Sequence, residues 1–415
     1  AELEADAPSG VHFAGRVSSD RVRELMVTSR ALTIPSIVFE GQPVVQLEAL
    51  AAGLPMTVSD LGGVAETLGD SGAGLHVPAG DPSAWTDALD RLTDDDFVDQ
   101  AGRAARAHYQ EHYTPQTALN QLTHHYQQVS PSRISHPVTS GSGVSMRVLQ
   151  VHNRYRESGG EDVMVGVEAG LLRSAGFEVV EHQVQNPLSD PGAVGALAVS
   201  AWNPVSVSRV RKLVGEVRPD VAHVHNTWYS LSPAVVRTLR RAGVPVVMTL
   251  HNYRLMCVNA QLFRDGRPCE LCVGSHPWRG VAYRCYRDSF LASAAVASSI
   301  GVHRALGTWV RDVELFFALT EFARERLLAA GLPPEKVVVK PNFVDDPGER
   351  TVGPSGSNRV LYVGRLAREK GVDVLLEAWR RAALSGLELW LVGDGPMRAE
   401  LEADAPAGVH FAGRV

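Results

Sequence analysis

The sequence predicts an α/β protein with two doubly wound, parallel-sheet domains. Short apolar runs rich in β-branched residues alternate with amphipathic helical segments, for example Val148–Val151 followed by Val163–Ala175. Strands that are apolar on both faces are typical of parallel sheets with helices on each side. The alternation occurs twice along the chain, and the first segment of the chain is repeated at its end. These observations indicate two sheets, one of them assembled from both ends of the chain.

The composition narrows the class of protein further. The 415 residues carry 40 basic and 46 acidic side chains, a formal net charge of −6, and four cysteines. At about 150 residues per domain, this length allows two or three domains with cores of their own. A mildly acidic chain is not typical of nucleic-acid-binding proteins, and four cysteines are too few for a disulfide scaffold. We therefore expect a cytoplasmic globular protein that does not bind nucleic acid.

A segment of 17 residues occurs at both ends of the chain. It reads AELEADAPSGVHFAGRV at Ala1–Val17 and AELEADAPAGVHFAGRV at Ala399–Val415, so 16 of the 17 positions agree. No other segment repeats, which excludes a solenoid. The succession of strands and helices that begins at Arg359 stops after three strands, and the succession that begins at Val11 continues it. Joined at the shared strand VHFAGR, the two pieces make one six-stranded domain, and one copy of that strand is redundant.

The pattern divides the chain into four stretches. Residues 1–129 carry the second half of the C-terminal domain with its closing helices, and 130–145, rich in Ser, Pro and Gly, form a flexible linker. Residues 146–350 form the N-terminal domain, and 351–415 carry the first half of the C-terminal domain. The predicted strands are Val148–Val151, Val221–Val224, Val244–Leu250, Leu315–Leu319, Val337–Lys340, Val360–Val363, Leu387–Val392, Val409–Ala412 or its copy Val11–Ala14, Ala31–Ile34, Pro55–Val58 and Gly74–Val77. We interpret the chain as a circular permutation of a protein that starts at Met146, or as a cut across two tandem copies; the sequence leaves both open.

The segment Phe39–Ala49 carries two carboxylates, Glu40 and Glu48, after a predicted strand. Ligands of open parallel sheets bind at the carboxyl ends of strands, so the position suits a binding site. Eight residues make about 2.2 helical turns, which places both carboxylates on roughly one side of a helix. Carboxylates accept hydrogen bonds from hydroxyl groups, so the pair could hold a sugar and a ribose. Spacing alone favours the alternative of a turn residue and a solvated helix position.

Two loops carry residues that suit a diphosphate. Gly364–Gly371 follows a predicted strand, and its Arg365 and Lys370 lie near the N-terminus of a helix. Cations and backbone N–H groups at such a position bind phosphate oxygens. In the other domain, Gly159 and Gly160 let the backbone approach a phosphate closely. An ordinary charged loop is the alternative, and neither loop has the spacing of the dinucleotide-binding fingerprint.

Five motifs occur in a fixed order once the chain is rejoined. They are Glu40-x7-Glu48, Gly364-Arg365 with Glu369-Lys370-Gly371, Gly393-Asp394-Gly395-Pro396, Pro341-Asn342 and Ser59-Asp60-Leu61-Gly62-Gly63. In this order they resemble the motifs of the retaining, GT-B-type glycosyltransferases of family 4. The resemblance covers the whole chain apart from the linker. It implies two Rossmann-like domains facing a cleft and an enzyme that moves a sugar from a nucleoside-diphosphate sugar to a hydroxyl acceptor.

The resemblance assigns roles to individual residues of the predicted donor-binding domain. Glu40, with Gly41 beside it, would contact the donor sugar, and Glu48 would contact the ribose. Arg365 and Lys370 would neutralise the diphosphate, including the charge that develops as it leaves. These residues, with His251, are the expected catalytic and donor-binding groups.

Three further assignments follow from the resemblance. Gly159 and Gly160 would close over the donor. His251, at the end of Val247-Met248-Thr249-Leu250-His251, resembles the family's histidine near the reacting sugar. The nucleotide base would lie against Arg16 and Val17, or against their copies Arg414 and Val415.

The implied reaction is a front-face displacement that retains the configuration of the sugar. It depends on positioning and charge stabilisation, with Arg and Lys in the place of a divalent metal, so no cofactor is expected for catalysis. The expected partners are the nucleotide sugar and a carbohydrate or glycolipid acceptor in cell-surface polysaccharide or glycolipid synthesis. The resemblance also implies peripheral association with the inner face of the membrane. Exchange of half-domains between two chains would give a homodimer.

All four cysteines lie in one short segment with the spacing C-x11-C-x2-C-x12-C; they are Cys257, Cys269, Cys272 and Cys285. Four thiolates can close a tetrahedral site for a structural zinc ion. Unligated thiols and a redox pair are alternatives that the spacing leaves open. A closed zinc site would shape the loop that follows His251.

Two other functions remain open on the sequence. A nucleotide-sugar epimerase has the same two-domain architecture, and an inactive donor-binding fragment of a tandem protein would carry the same motifs. Glu40 and Glu48 lie on one piece of the split domain, and Arg365 and Lys370 lie on the other. They can share a site only if the two pieces complete one sheet. The two carboxylates together with the two cations favour the transferase.

Overall fold

The computed structural model describes residues 19–130, 146–155, 159–187, 197, 199–348, 350, 352–406 and 409–411. The described residues fall into two compact units. Unit 1 draws on Ala1–Thr114, Phe263–Pro268 and Asn342–Val415, and unit 2 on Pro115–Leu262 and Cys269–Pro341. Each unit holds one sheet of six parallel strands, which confirms the predicted α/β class with two parallel sheets.

Unit 1 is a sheet covered by helices; elements are numbered along the chain. Its strands are β1 Ala31–Ile34, β2 Met56–Ser59, β3 Gly74–Val77, β12 Arg359–Val363, β13 Glu388–Val392 and β14 Val409–Phe411. Its helices are α1 Ser19–Thr28, α2 Val44–Ala51, α3 Gly62–Leu68, α4 Pro82–Arg91, α5 Asp95–His112, α14 Val372–Ala382 and α15 Arg398–Ala403. A small hairpin of β8 Phe263–Arg264 and β9 Arg267–Pro268 pairs with itself.

The strand order of unit 1 joins the two ends of the chain. The sheet runs β14-β13-β12-β1-β2-β3. β1 pairs with β12 in parallel, with Leu32 opposite Leu361. Counted in the rejoined order, the strands lie 3-2-1-4-5-6, which is the order of doubly wound dinucleotide-binding sheets. The two pieces therefore complete one sheet within a single chain.

Side chains from both pieces pack together on each face of this sheet. One core contains Leu32 and Leu361, and the core on the opposite face contains Ala31 and Val360. Successive residues of a strand point to opposite faces, so each strand contributes to both cores. Full burial of a leucine stabilises a fold by about 1.5–3 kcal/mol. The joint between β1 and β12 is thus held by burial on two faces as well as by strand hydrogen bonds.

Unit 2 contains the other sheet. Its strands are β4 Arg147–Arg154, β5 Glu178–Gln185, β6 Val221–Asn226, β7 Val246–Leu250, β10 Leu315–Ala318 and β11 Val337–Val339. Its helices are α6 Pro115–Val129, α7 Gly160–Ser174, α8 Pro204–Val217, α9 Ala234–Arg241, α10 Trp278–Ala282, α11 Phe290–Ala305, α12 Thr308–Arg311 and α13 Glu321–Ala329. The order is β11-β10-β7-β6-β4-β5, so the direction of winding reverses between β4 and β6.

Two elements of the sheets add to what the sequence predicts. β5 is not among the predicted strands because its sequence, EVVEHQVQ, is largely polar; it lies at the sheet edge, pairs with β4 and alternates in exposure. β14 is the C-terminal copy of the repeated strand, with Leu389 of β13 opposite Val409. The N-terminal copy and the rest of the predicted linker after Ser130 lie outside the described residues. No helix in the described part of the chain combines the length and apolar character needed to cross a membrane.

Candidate functional site

The carboxyl ends of β12 and β1 meet where the strand order of unit 1 reverses. Ligands of doubly wound sheets bind at such a switch point. The loop after β1 carries Glu40, and the loop after β12 carries Arg365 and Lys370. The topology therefore brings Glu40 and Lys370, 330 positions apart in sequence, to one place.

Glu40 is held by two partners within unit 1. Ser36 Oγ donates a hydrogen bond to Glu40 Oε1 at 2.7 Å, and the Lys370 ammonium donates to the same oxygen. The side chains of Lys370 and Glu40 remain 26% and 14% exposed, so solvent still reaches the pair. Hydroxyl and phosphate oxygens of a ligand can therefore compete for either partner.

Glycine is required where other backbone segments meet the Glu40 loop. Gly371 has a φ of 65°, and a Cβ there would lie 2.1 Å from the carbonyl oxygen of Pro35. A Cβ at Gly63 would lie 2.1 Å from the carbonyl oxygen of Gly41. A side chain at either position would push the loop away from its neighbours. Gly371 and Gly63 thus fix the loop from two sides.

The backbone around Arg365 is fixed by the Gly393–Gly395 segment. A Cβ at Gly393 would lie 1.8 Å from the carbonyl oxygen of Gly364, and the Leu366 N–H donates to the carbonyl oxygen of Asp394 at 2.9 Å. The Arg365 side chain itself is 59% exposed and pairs with Glu369 at 2.9 Å. An exposed guanidinium on a fixed backbone can turn toward an anionic ligand without moving the loop.

The remaining parts of the Glu40–Glu48 segment are also anchored. Gln42 accepts a hydrogen bond from the Asn342 N–H at 2.7 Å and donates to Thr67 Oγ1 at 3.3 Å. Glu48 lies half-buried on α2, where burial raises its pKa and Arg23 of α1 partly offsets the shift. Residues from each of the five sequence motifs therefore contact another motif or its supporting residues inside unit 1.

In unit 2, His251 follows β7 and contacts His225 at the end of β6. His225 Nδ1 and His251 Nε2 are 3.2 Å apart. Burial and the neighbouring His223 lower the pKa of His225 to about 3, and burial and His225 hold the pKa of His251 well below its ordinary value. Burial thus favours the neutral form of both rings, in which each ring has one N–H and one acceptor nitrogen.

A buried carboxylate, Glu168 of α7, lies beside these rings. Its Oε1 is 2.8 Å from His223 Nδ1 and 3.4 Å from His225 Nε2, and its Oε2 accepts from Lys340 Nζ at 3.0 Å. Burial alone would raise the pKa of Glu168, but its interactions with His223 and Lys340 hold that pKa well below the ordinary value. Glu168, His223 and His225 have ligand atoms close enough together for a metal, yet Lys340 already supplies the balancing cation.

The first turn of α7 carries a second buried carboxyl group, Glu161. Tyr155 donates to Glu161 Oε2 at 2.9 Å, and Asn252 Nδ2 donates to the same oxygen at 3.3 Å. Burial raises the pKa of Glu161 to about 8 against the opposing hydrogen bond from Tyr155. Gly159 caps the same helix, and its N–H donates to Asp162 at 3.0 Å. The predicted glycine pair thus lies beside the groups that hold Asn252, the residue after His251.

An open pocket of about 530 Å³, partly continuous with solvent, lies beside His251 in unit 2. Its polar wall is formed by His225, Asn226, Thr227, His251, Asn252, Arg254 and Ser299. Its apolar wall is formed by Trp228, Pro233, Met248, Leu250, Leu255, Ile300 and Trp309. A concave site with a few convergent polar groups is typical of small-molecule binding.

Two protein-family models match the chain. The model described as a glycosyl transferase 4-like domain matches residues 130–342, just over half of the chain. The model described as glycosyl transferases group 1 matches residues 1–95 and 357–415, the two pieces that share the sheet of unit 1. The chain belongs to the glycosyl transferase 4-like family.

Curated relatives match only parts of this glycosyl transferase 4-like chain. The phosphatidyl-myo-inositol mannosyltransferase of Mycobacterium leprae is 32% identical over 122 residues, 29% of this chain and 33% of that protein. The 2-deoxystreptamine N-acetyl-D-glucosaminyltransferase of Streptomyces fradiae is 27% identical over 284 residues, 64% of this chain and 62% of that protein. Among solved structures, an apo lipopolysaccharide outer core galactosyltransferase, WaaB, matches with 14% identity and a TM-score of 0.40 over 65% of this chain and 68% of that chain. The chain thus spans about a third of the length of the first relative.

Several predicted site residues of this family member belong neither to the group around Glu40 and Lys370 nor to the group around His251. Arg16, Val17, Arg414 and Val415 lie outside the described residues. Cys257 and Cys272 are buried, and Cys269 and Cys285 are half-buried. Among the described residues, which include all four cysteines, no three of these sulfur atoms lie within 4.8 Å of one another. The structural zinc remains a prediction.

The sequence does not single out most groups of the unit 2 cluster. His223 and His225 sit in an apolar strand, VAHVHN, where the alternate spacing is a signal that both face the same side. Glu161 and Glu168 are seven residues apart on α7, about two helical turns, which likewise places them on one face. Both spacings are visible in the sequence, but what each face meets is visible only in the fold.

Proposed function

We propose that this chain is a glycosyltransferase that moves a sugar from a nucleoside-diphosphate sugar to a hydroxyl acceptor. The observation that carries the proposal is the contact between Glu40 and Lys370, which unites the two pieces of the split domain at the switch point of its sheet. A hydroxyl-binding carboxylate and a phosphate-binding cation in contact suit a ligand that is a sugar and a diphosphate in one molecule.

We assign each residue of unit 1 a role on the donor. Glu40 accepts hydrogen bonds from the sugar hydroxyls, with the Gly41 backbone beside it, and Glu48 accepts from the ribose. Lys370 and Arg365 bind the diphosphate and stabilise the charge that builds on it as the sugar leaves. The glycines that meet this loop keep these groups in place before the donor binds, which lowers the cost of ordering them.

We further propose that the transfer retains the configuration of the sugar and requires no divalent metal. Arg365 and Lys370 supply the positive charge that a metal would supply, and the departing phosphate oxygen takes the proton of the acceptor hydroxyl. His251 is assigned to the acceptor side of the reaction, with Gly159 and Gly160 contacting the donor phosphates. The mannosyltransferase relative, named for phosphatidyl-myo-inositol, supports a glycolipid or carbohydrate acceptor and transfer of a hexose.

We also propose that the chain is a permuted form of this enzyme in which 146–350 is the N-terminal domain and 351–415 with 1–129 the donor-binding domain. The pairing of β1 with β12 inside one chain supports a complete donor domain in a monomer, without exchange of halves between chains. A single chain in solution that binds one donor molecule is the expected result.

The test is to incubate the protein with uridine, guanosine and adenosine diphosphate sugars and to measure thermal stabilisation and release of the nucleoside diphosphate. One nucleotide sugar should raise the melting temperature, because a ligand that binds the folded state stabilises it. With an acceptor, the product linkage should keep the anomeric configuration of the donor, with and without a chelator. Epimerised donor in the absence of acceptor would favour an epimerase, and no stabilisation by any donor would favour an inactive fragment.

A matched pair of lysine variants isolates the role of Lys370. Lys370→Ala should lower kcat by about 10²–10³-fold, the usual effect of removing one preorganised charge-stabilising donor. Lys212→Ala is the control, since Lys212 is an exposed lysine of unit 2 whose ion pair with Glu216 spans 3.7 Å on one helix. An equal kcat in both variants would contradict the assignment of Lys370.

A further inference from the structure

The pocket beside His251 in unit 2 carries a positive charge that the protein does not balance. Its lining residues include Arg254 and no aspartate or glutamate. Arg254 makes no ion pair with a carboxylate within the described ranges of the chain. Glu161 acts on Arg254 electrostatically, but burial raises the pKa of Glu161 to about 8, so this carboxyl group is largely uncharged at neutral pH. A ligand in this pocket therefore meets an unpaired cation.

The guanidinium of Arg254 is fixed by three neighbours. Its Cζ lies 5.2 Å from the ring centre of Trp228 and 5.2 Å from that of Tyr286, and its Nη1 donates to the carbonyl oxygen of Val258. Its Nε and Nη2 donate to no acceptor in the part of the chain that the structure describes, and they are not among the buried polar atoms, so solvent reaches them. These two nitrogens share one edge of the guanidinium. A stacked guanidinium with such a free edge is suited to two parallel hydrogen bonds to a carboxylate or phosphate.

Two tryptophans in the wall of the same pocket have unpaired N–H groups. Trp228 and Trp309 are 6% and 5% exposed. The Nε1 atom of each is buried and donates to no acceptor among the described residues. Burying an N–H without a partner is unfavourable, and folded proteins normally pair such a group with protein, water or ligand. The wall therefore offers hydrogen-bond donors that lack acceptors.

The side-chain oxygens of the wall already take part in hydrogen bonds. Asn226 Oδ1 accepts from the backbone N–H of Trp228 at 2.9 Å, and Asn252 Oδ1 accepts from that of Arg254 at 3.0 Å. Ser299 Oγ donates to the carbonyl oxygen of Ser200 at 3.2 Å. The unpaired groups of Arg254 and the two tryptophans, in contrast, are all donors. An ionised phosphate or carboxylate only accepts hydrogen bonds, so it complements them in hydrogen bonding and in charge.

We propose that the acceptor substrate carries a phosphate or carboxylate group, which the free edge of Arg254 binds in this pocket with the N–H groups of Trp228 and Trp309 as further donors. The inference rests on the proposed function, which identifies the ligand of unit 2 as the acceptor. The apolar wall takes the uncharged part of the molecule. An anion fixed at Arg254 holds the hydroxyl groups of the same molecule near His251, which lines the same pocket.

The first test uses inorganic phosphate and full-length protein labelled with nitrogen-15 at tryptophan. The indole N–H signals of Trp228 and Trp309 are assigned by their loss in Trp228→Phe and Trp309→Phe. Phosphate should shift both signals saturably and leave those of Trp202 and Trp278, which are outside the pocket lining of unit 2, in place. Equal shifts with potassium chloride at the same ionic strength, or no shift with phosphate, would overturn the proposal. The titration needs neither donor nor turnover, so its failure is distinct from failure of the proposed function.

A matched pair of arginine variants isolates the role of Arg254. Arg254→Gln, which keeps a polar side chain but removes the charge, should abolish the phosphate-induced shifts. Arg211→Gln is the control, because Arg211 is exposed on α8 and does not line the pocket. Phosphate binding of wild-type strength in Arg254→Gln would overturn the assignment. If this variant does not fold, Arg254→Lys should bind phosphate about tenfold more weakly, since a lysine has the charge without the planar edge; equal affinity would contradict binding through that edge.

A series of sugars that differ in charge tests the class of acceptor. Glucose 6-phosphate and glucuronate should reproduce the tryptophan shifts, whereas glucose and glucosamine should not. Tighter binding of glucose or glucosamine than of the two anions would overturn the proposal. Vesicles of phosphatidylglycerol and of phosphatidylcholine separate two sources of the anionic group. Sedimentation with the former that is lost in Arg254→Gln would assign the group to a lipid, and binding of the soluble anions alone would assign it to a soluble acceptor.

Kinetics connect the pocket to sugar transfer. With an anionic acceptor, Arg254→Gln should raise the KM for the acceptor by about tenfold or more, the usual effect of losing hydrogen bonds to a charged group. The KM for the nucleotide sugar should stay the same, because the residues assigned to the donor diphosphate, Arg365 and Lys370, lie in unit 1. A raised donor KM with an unchanged acceptor KM would overturn the role of Arg254.

Discussion

Lys370–Glu40 in unit 1 and Lys340–Glu168 in unit 2 are chemically the same pair in different surroundings. The first is 26% and 14% exposed, and the second is 2% and 4% exposed. Solvent screens the first pair, so either side chain can leave the other and bind a ligand at little cost in free energy. The second pair is desolvated, and either member alone would be an uncompensated buried charge. Exposure therefore separates a pair that can bind a ligand from a pair that holds other residues in place.

The largest expected effect is a difference in stability between two lysine variants. Lys340→Ala should lower the free energy of unfolding of unit 2 by about 3–5 kcal/mol, because it leaves the Glu168 carboxylate buried without its cation. Lys370→Ala should lower that of unit 1 by at most about 1 kcal/mol, as for an ion pair open to solvent. Urea unfolding followed by amide hydrogen exchange in β6 and in β1 reports the two units separately. Equal losses of unfolding free energy in the two units would contradict the difference between the exposed and the buried ion pair.

The next effect is a pH dependence of the stability of unit 2. Burial raises the pKa of Glu161 from 4.5 to about 8, so the folded state binds this proton between those pH values and the unfolded state does not. Stability contributed by the bound proton is therefore lost as pH rises through this window, by roughly 3 kcal/mol at pH 7.

The variant Glu161→Gln should remove that slope between about pH 5 and 8. The control is Glu325→Gln on α13, where the side chain is 61% exposed, and its pH dependence should match the wild type. Hydrogen exchange of unit 2 amides at several pH values makes the measurement. The difference in stability between the wild type and Glu161→Gln should fall as pH rises over this range, and a difference that does not change with pH would contradict the assignment.

The smallest expected effect concerns Gly371, a glycine that fixes the loop carrying Glu40, the partner of Lys370. Gly371→Ala should destabilise unit 1 by about 1–3 kcal/mol, because a left-handed conformation is combined with a Cβ only 2.1 Å from the Pro35 carbonyl oxygen. Gly386→Ala is the control: its φ is 88°, but a Cβ there would meet nothing within 4 Å. Chemical denaturation should show the greater loss for Gly371→Ala. The opposite ranking would mean that the Glu40 loop is not fixed by close backbone contact.

The sequence predicts the two sheets and the pair Lys370–Glu40 better than it predicts the buried contacts of Glu168 in unit 2. Glu40 and Lys370 lie in loops directly after apolar strands, so the parallel-sheet rule alone places them at one edge once the chain is rejoined. His225 and Glu168 lie inside regular elements, where a polar residue on a buried face carries no local sign of its partner. Their pairing depends on which face of α7 covers β6, and that is set by packing of the whole unit.

The same reasoning explains the strand that the sequence does not predict. β5 is recognised by neither an apolar run nor a turn signal, because it lies at an edge and its alternate residues meet solvent. Whether this segment forms a strand depends on pairing with β4, and that pairing is a property of the folded sheet. The glycines at Gly63 and Gly371 belong to motifs, but only the fold shows that they touch the Glu40 loop.

The pairing of Ala31 with Val360 has a consequence for synthesis on the ribosome. β2 and β3 emerge soon after β1, whereas β12 emerges about 330 residues later, roughly 20 to 60 seconds at usual translation rates. During that interval β1 is an open, apolar edge, the kind of strand that pairs with other chains. Unit 2 is completed in the meantime, because its strands lie within one continuous stretch. Throughout this interval half of the sheet lacks its partner strand, so formation of the folded protein depends on keeping the edge of β1 from pairing with other chains.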